Sequence, residues 1–422
     1  MTDTLNDVAW HDFLQENPAV LQCIDRYGFC DVQSSVLKHY REPRLMCKID
    51  FLEQQPKILK QLSISVLAIV NKQYRLARTH PFIDIDTDWL QDKAIDKTFA
   101  LPNYLHSLAA THITSESKAL DAAYASGMLH ELEQVQYLHL TVRGRSYSTN
   151  FAFALADSNG HRIEYPIAGV QLEVDGGYES HERLLLIEAK MGFANNMNLR
   201  QLLYPQLNYS ALLRKPVVTY LMFYETGGLF HFLPFTYYNG IPQINYVGYR
   251  LFKLEQPMLL NPQQLFNTPI NPMLTGFGAP FPQADSMDTL LNLLLSMAAE
   301  VQYSKEELFA DYALVPRQWD YYLNALIWLG LVFKCAEGYF SLTPRGHQML
   351  ELTEQERVFY IAQTAFSNDI FNAHLHAENP FINAKSRLNN GLSTDSTFQR
   401  RLQTVKAWRW YLFQVLRLNG RN

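Results

Sequence analysis

Gln171-Leu-Glu-Val-Asp-Gly-Gly-Tyr-Glu-Ser-His-Glu-Arg-Leu-Leu-Leu-Ile-Glu-Ala-Lys190 is the stretch on which the architecture of this chain turns. Its first half alternates polar and apolar residues, so in an extended chain Gln171, Glu173 and Asp175 share one face. Leu184 to Ile187 is apolar on both faces, as in a central strand buried on two sides. The run then switches abruptly to Glu188-Ala189-Lys190, with Glu188 and Lys190 on one face. Carboxylates and an ammonium at the ends of paired core strands are costly to bury unless something neutral results. A divalent cation supplies a physical reason for them. Asp175 and Glu188 are hard oxygen ligands that suit Mg²⁺, which binds through one or two carboxylates plus a phosphate and keeps several waters. Lys190 would sit beside a water attacking phosphorus, orienting it or stabilising charge, while the metal lowers the water's pKa. The bland alternative is a solvated Glu-Lys pair at a strand end. The Asp placed 13 positions before Glu188, an expected Gly176-Gly177 turn and the two apolar strands weigh against it.

Working outward, strand-like runs flank this pair: YLHLTV, YSTNFAFALA, VVTYLMFYET and GLFHFLPFTY, the last two reading as a hairpin around Gly227-Gly228. A helix over SESKALDAAYASGMLHEL, with Ser115 as N-cap, precedes them. A second helix, MNLRQLLYPQLNYSALL, follows the Glu-Ala-Lys run, kinked or shortened by Pro205. On it Arg200, Tyr204 and Asn208 form a polar stripe opposite Leu199, Leu202, Leu203 and Leu207, able to meet a phosphate backbone. Pro257, Pro262, Pro269, Pro272, Pro280 and Pro282 mark a connector. Beyond it, helices over MDTLLNLLLSMAAEV, KEELFADY and PRQWDYYLNALIWLGLV precede a hairpin around Glu337-Gly338, which is the order of a winged helix.

The expected architecture is therefore an α/β (α+β) core with a mixed central sheet, preceded by a mixed N-terminal domain and followed by a mostly helical winged-helix region. The boundaries are 1–100, 101–255 for the core, 256–284 for the connector, 285–351 for the winged helix and 352–422 for a second helical, helix-turn-helix domain.

Composition bounds the function. The chain has 422 residues, 48% hydrophobic and 13% aromatic, which is ample for large cores and excludes a disordered protein. No apolar run approaches a membrane span and no signal peptide is visible, so a soluble cytoplasmic protein without membrane contact is expected. Four scattered cysteines make neither a disulfide framework nor a zinc site. The net charge of −5 hides a basic C-terminus: Lys385, Arg387, Arg400, Arg401, Lys406, Arg409, Arg417 and Arg421 face Asp395 alone. No G-x-S-x-G, HExxH or G-x-x-x-x-G-K-[ST] is present, which leaves serine-hydrolase, zincin and P-loop chemistry without support.

Asp175 with Glu188-Ala189-Lys190 resembles the PD-(D/E)XK nuclease superfamily, with Val174 in place of the usual proline. The resemblance implies a restriction-endonuclease-like core in which Asp175, Glu188 and the Ala189 carbonyl bind Mg²⁺ and Lys190 assists the attacking water. An upstream acidic residue often completes such sites. Glu116 is the first candidate, with Glu131, Glu133 and Glu173 as competitors. Arg200, Gln201 and Tyr204 resemble the helix that follows this motif in such nucleases. The stretch REPRLMCKID, Arg41 to Asp50, resembles an N-terminal region of certain type II restriction endonucleases, where Arg41, Arg44, Lys48 and Arg75, with Lys72 and Arg78, would contact DNA. STFQRRLQTVKAW is similar to a helix-turn-helix element of restriction-type proteins, carried by Thr397, Arg400, Arg401, Thr404 and Trp408. Arg400, Arg401 and Thr404 would contact DNA there, and Arg317 and Gln318 would do so at the start of the winged helix's recognition helix.

Together these imply a Mg²⁺-dependent, sequence-specific endonuclease of the type II restriction kind. It would act on double-stranded DNA as a homodimer, with a cognate DNA methyltransferase encoded nearby. The alternatives are a structure-directed repair or junction nuclease, and a winged-helix DNA-binding regulator whose nuclease-like core is inactive.

Overall fold

The computed structural model describes residues 3–91, 93–238, 240–256 and 260–418. Pro257, Arg421 and the end of the basic tail lie outside the described residues. The chain divides into two compact units. The first holds residues 1–97, 127–223 and 230–252, and the second holds 98–126, 224–229 and 253–422. The N-terminal block thus shares one unit with the core strands. The segment 98–126, expected to open the core, belongs to the other unit.

An eight-stranded mixed sheet runs in the order Lys97–Phe99, Arg250–Leu254, Leu229–Tyr238, Val217–Glu225, Leu184–Met191, Gln171–Glu179, His139–Tyr147, with Ile241–Ile244 paired to Leu229–Tyr238. Leu184–Met191 is interior to it, and Leu184 through Ala189 are all buried, as its two-sided apolar pattern requires. Gln171–Glu179 alternates as expected, with Leu172 and Val174 buried and Gln171 and Glu173 exposed. The helix Arg200–Leu212 continues through Pro205 and packs on both strands. Gly127, at φ 87°, divides the helix opened by Ser115 into Glu116–Ala125 and Met128–Glu133. The strand Arg162–Ile167, which pairs with Phe151–Ala156, was not expected.

Gly176 and Gly177 do not make a turn. Both lie inside the strand Gln171–Glu179, and the reversal falls at Ser180–Arg183, closed by Ser180 N–H to the Arg183 carbonyl at 2.9 Å. The reason for glycine is space: a Cβ at Gly177 would stand 2.6 Å from Val142 Cβ and 3.1 Å from Leu186 Cδ2.

In the second unit Met287–Ser296, Lys305–Leu308 and Pro316–Trp328 are helices. The antiparallel strands Val332–Lys334 and Phe340–Leu342 follow, and Tyr303 bridges Phe340. The order helix, helix, helix, hairpin is the expected one, and the Tyr303–Phe340 bridge after the first helix was not foreseen. The expected division at residue 351 has no counterpart in packing. One apolar core runs from Leu265 to Leu418, and Trp408 joins it against Trp328 and Phe371. The Thr397–Trp408 pattern lies on one unbroken helix, Asp395–Val415, instead of spanning a helix-turn-helix. Among the described residues no helix is long and apolar enough to cross a membrane.

Candidate active site

The two central strands pair antiparallel from Leu184↔Glu179 to Ile187↔Gly176. Continued by one step, this register sets Glu188 across from Asp175. There the ladder gives way to a side chain, and the Ala189 N–H donates to Asp175 Oδ2 at 2.8 Å. On its other side Asp175 meets an irregularity. His139–Tyr147 pairs Val142 with Gly177 and Gly144 with Val174, so the register shifts opposite Asp175 and Gly176. Such bulges re-aim side chains and end pairing. Arg143, at the bulge, donates from Nε to the Asp175 carbonyl at 3.1 Å.

Glu188 is 8% exposed, and Lys190 Nζ donates to its Oε1 at 2.6 Å. Asp175 and Glu188 therefore bring two hard carboxylate donors to neighbouring strand positions, with an ammonium beside them. That donor set fits Mg²⁺, which needs only one or two protein carboxylates. Among the described residues no three His, Cys, Asp or Glu side chains form a ready metal cluster. Ala189 is buried, and its amide serves Asp175.

Glu116 lies in the second compact unit, where its charge acts on Tyr312. Of its competitors, Glu131 pairs with Lys97 at 2.6 Å, Glu133 with Arg183 at 3.4 Å and Glu173 with Arg145 at 3.2 Å. The acidic residue that the fold brings to this neighbourhood is Asp50, the last residue of REPRLMCKID. It is 4% exposed and ion-paired with Arg200. Burial raises its pKa, but Arg200, Lys48 and Lys190 outweigh burial and hold it below the usual carboxylate value. Arg200, likewise desolvated, is held above its ordinary value by Asp50 and, more weakly, by Glu188.

Several expected DNA contacts have interior roles instead. Tyr204 is buried with its hydroxyl on the Ala68 carbonyl at 3.0 Å, and buried Asn208 accepts from Thr149, so these two members of the stripe face protein while Arg200 stays partly exposed. Helical spacing places residues on one face but does not say what covers it. Arg75 is buried, holds Asp31 through two hydrogen bonds of 2.7 and 2.6 Å, and stacks on Phe29. Thr404 is wholly buried and donates to Asp285. Gln201 keeps its side-chain oxygen buried, and Gln318 accepts from the Val315 amide at its helix start. Arg41 binds Asn6, and Lys48 pairs with Asp50 at 3.5 Å. Arg44, Arg317 and Arg400 are exposed, and Arg401 is half-buried near Tyr321 and Arg400. Arg317 donates to the Tyr321 hydroxyl at 2.7 Å.

Three family models match the chain, each described as a domain of unknown function: DUF6996 over residues 7–76, DUF6997 over 79–253 and DUF7226 over 289–417. Asp50 falls in the first block, and Asp175, Glu188, Lys190 and Arg200 fall in the second. No curated protein and no solved structure matches the chain.

Proposed function

We propose that this protein is a Mg²⁺-dependent endonuclease that cuts double-stranded DNA at specific sequences, with a restriction-endonuclease-like core. The observation that carries the reading is buried Glu188 paired with half-buried Lys190 beside Asp175, where two core strands part. Asp175 and Glu188 would hold the metal, which when bound supplies Lewis acidity and a more acidic water. The chain's own part follows from charge. Lys190 orients the attacking water and offsets the charge growing on the non-bridging phosphate oxygens. The water oxygen bonds to phosphorus as the bond to O3′ breaks in line. The attacking water gives both its protons to solvent, O3′ takes one back from solvent water and leaves as a hydroxyl, and the net products are a 5′-phosphate and one proton.

The helices and hairpin of 285–351 suit a winged helix that grips DNA, with exposed Arg317 and Arg400 on it and on the last long helix. A homodimer would set two sites across a palindrome, and a methyltransferase encoded nearby would protect host DNA.

Digestion of unmethylated phage-sized DNA with Mg²⁺ or EDTA, alongside Lys190→Ala, tests this. Discrete bands that need Mg²⁺, and a loss of at least about 100-fold in rate in the variant, are expected. A Mg²⁺-dependent smear would point to a structure-directed or nonspecific nuclease. No cleavage with salt-sensitive binding would point to a regulator, and an unimpaired variant would sink the site.

A further inference from the structure

Asp50 and the residues around it are held by several hydrogen bonds. The Asn198 amide donates to its carbonyl at 2.7 Å, and Asn198 Nδ2 donates to the Ile49 carbonyl at 2.9 Å. Two residues on, the Leu52 amide donates to Asn196 Oδ1 at 2.7 Å, while Asn196 Nδ2 donates to Glu53 at 3.0 Å. Asn196 and Asn198 are themselves buried on a strand paired with Phe82–Asp84. The N-terminal segment is thus stitched to the chain immediately after the Glu-Ala-Lys run, and its buried Asp50 carboxylate meets Arg200.

Arg200 lies between two acids. Asp50 holds it in a direct ion pair, and the charge of Glu188 also reaches it. Glu188 already carries Lys190 on Oε1. With Asp50 in place the planar fork is oriented by one charge-assisted partner, and its remaining N–H groups have a set direction. The Arg200 side chain is 33% exposed, so solvent reaches part of it.

We propose that Asp50 is a positioning residue of the candidate active site. It holds Arg200 in a direct ion pair and so fixes the guanidinium that meets a non-bridging oxygen of the phosphodiester being cut. This deepens the nuclease reading and rests on it. It also gives the N-terminal block a part in the chemistry itself, through a residue that belongs to a different matched family model from the rest of the site.

The test compares wild type, Asp50→Asn, Arg200→Gln and the double variant. The readouts are kcat and KM on a short cleavable duplex with Mg²⁺, duplex affinity in EDTA, and thermal melting. Asp50→Asn should lower kcat about tenfold to a hundredfold while KM and affinity stay within about threefold, the scale seen when an outer partner of a site is removed. The double variant should be no slower than Arg200→Gln alone, because both changes remove one unit. Asp50→Asn with wild-type kcat, a loss confined to affinity, or losses that multiply in the double variant would each overturn the proposal. If Asp50→Asn fails to melt cooperatively, Arg200→Gln decides: lower kcat at unchanged affinity supports the proposal, and wild-type kcat overturns it. A wild type that cleaves nothing overturns the nuclease reading and this inference together. Cleavage by a wild type that Asp50→Asn matches overturns this inference alone.

Discussion

Asp175 serves two demands with one carboxylate: Oδ2 replaces a backbone acceptor for Ala189, while the residue stays half-buried at the open end of the pairing. Its spacing from Glu188 and the shared face of Glu188 and Lys190 were legible in the sequence, because a two-residue strand period is local geometry. Asp50 was visible only as the end of a quoted stretch, since nothing local announces which distant cation a carboxylate will meet. Another residue-scale case sits in the second unit. Asp288 accepts from the Thr226 amide at 3.2 Å and the Tyr411 hydroxyl at 3.0 Å, and burial, then Glu225, push its carboxyl up to about 7. An acid raised on folding contributes stability that is whole below its ordinary value of 3.8 and is lost as pH climbs through about 7. Asp288→Asn keeps an acceptor oxygen and removes that titration. Its melting should vary less between pH 5 and pH 8, with a gain at pH 8 of about 1–2 kcal/mol over wild type. Chemical denaturation at the two pH values would show it, and an unchanged pH dependence would refute the assignment.

At the scale of elements, glycine proved ambiguous. Gly176-Gly177 reads as a turn because Gly-Gly usually is one, yet here it lets a strand pass within contact of Val142 and Leu186. Gly177→Ala should therefore destabilise the first unit by about 1–3 kcal/mol, the cost of forcing a methyl group into a packed core. Denaturant unfolding measures it, and a neutral result would mean that Val142 moves aside freely. Helical stripes were ambiguous in the same way. Arg200, Tyr204 and Asn208 share a face as spacing requires, but the protein covers Tyr204 and Asn208. Trp319 stacks on Phe309 at 5.4 Å, whereas Trp410 on the last helix is exposed. A pattern of polar and apolar residues reports periodicity, and the occupant of each face is a long-range fact.

For the whole molecule, net charge misleads where local charge informs. An overall −5 does not describe the second unit, whose exposed Arg317 and Arg400 lie on two different helices packed around one core. If both meet phosphates, the paired change Arg317→Ala/Arg400→Ala should weaken duplex binding across all sequences. It should also reduce the slope of log affinity against log salt by about 2, near one per phosphate contact. An unchanged slope would place the DNA elsewhere on the protein. Local order set the central strands, the hairpin at Gly227-Gly228, the irregular proline segment and the helix-helix-helix-hairpin sequence, since each depends on neighbours within a few residues. Which segments pack together was decided by folding alone. The joining of residues 1–97 to the core strands, the transfer of 98–126 to the other unit and the pairing of Asp50 with Arg200 across 150 positions all bring together residues far apart in the chain. Burial free energy depends on which surfaces meet, and periodicity carries no record of the partner.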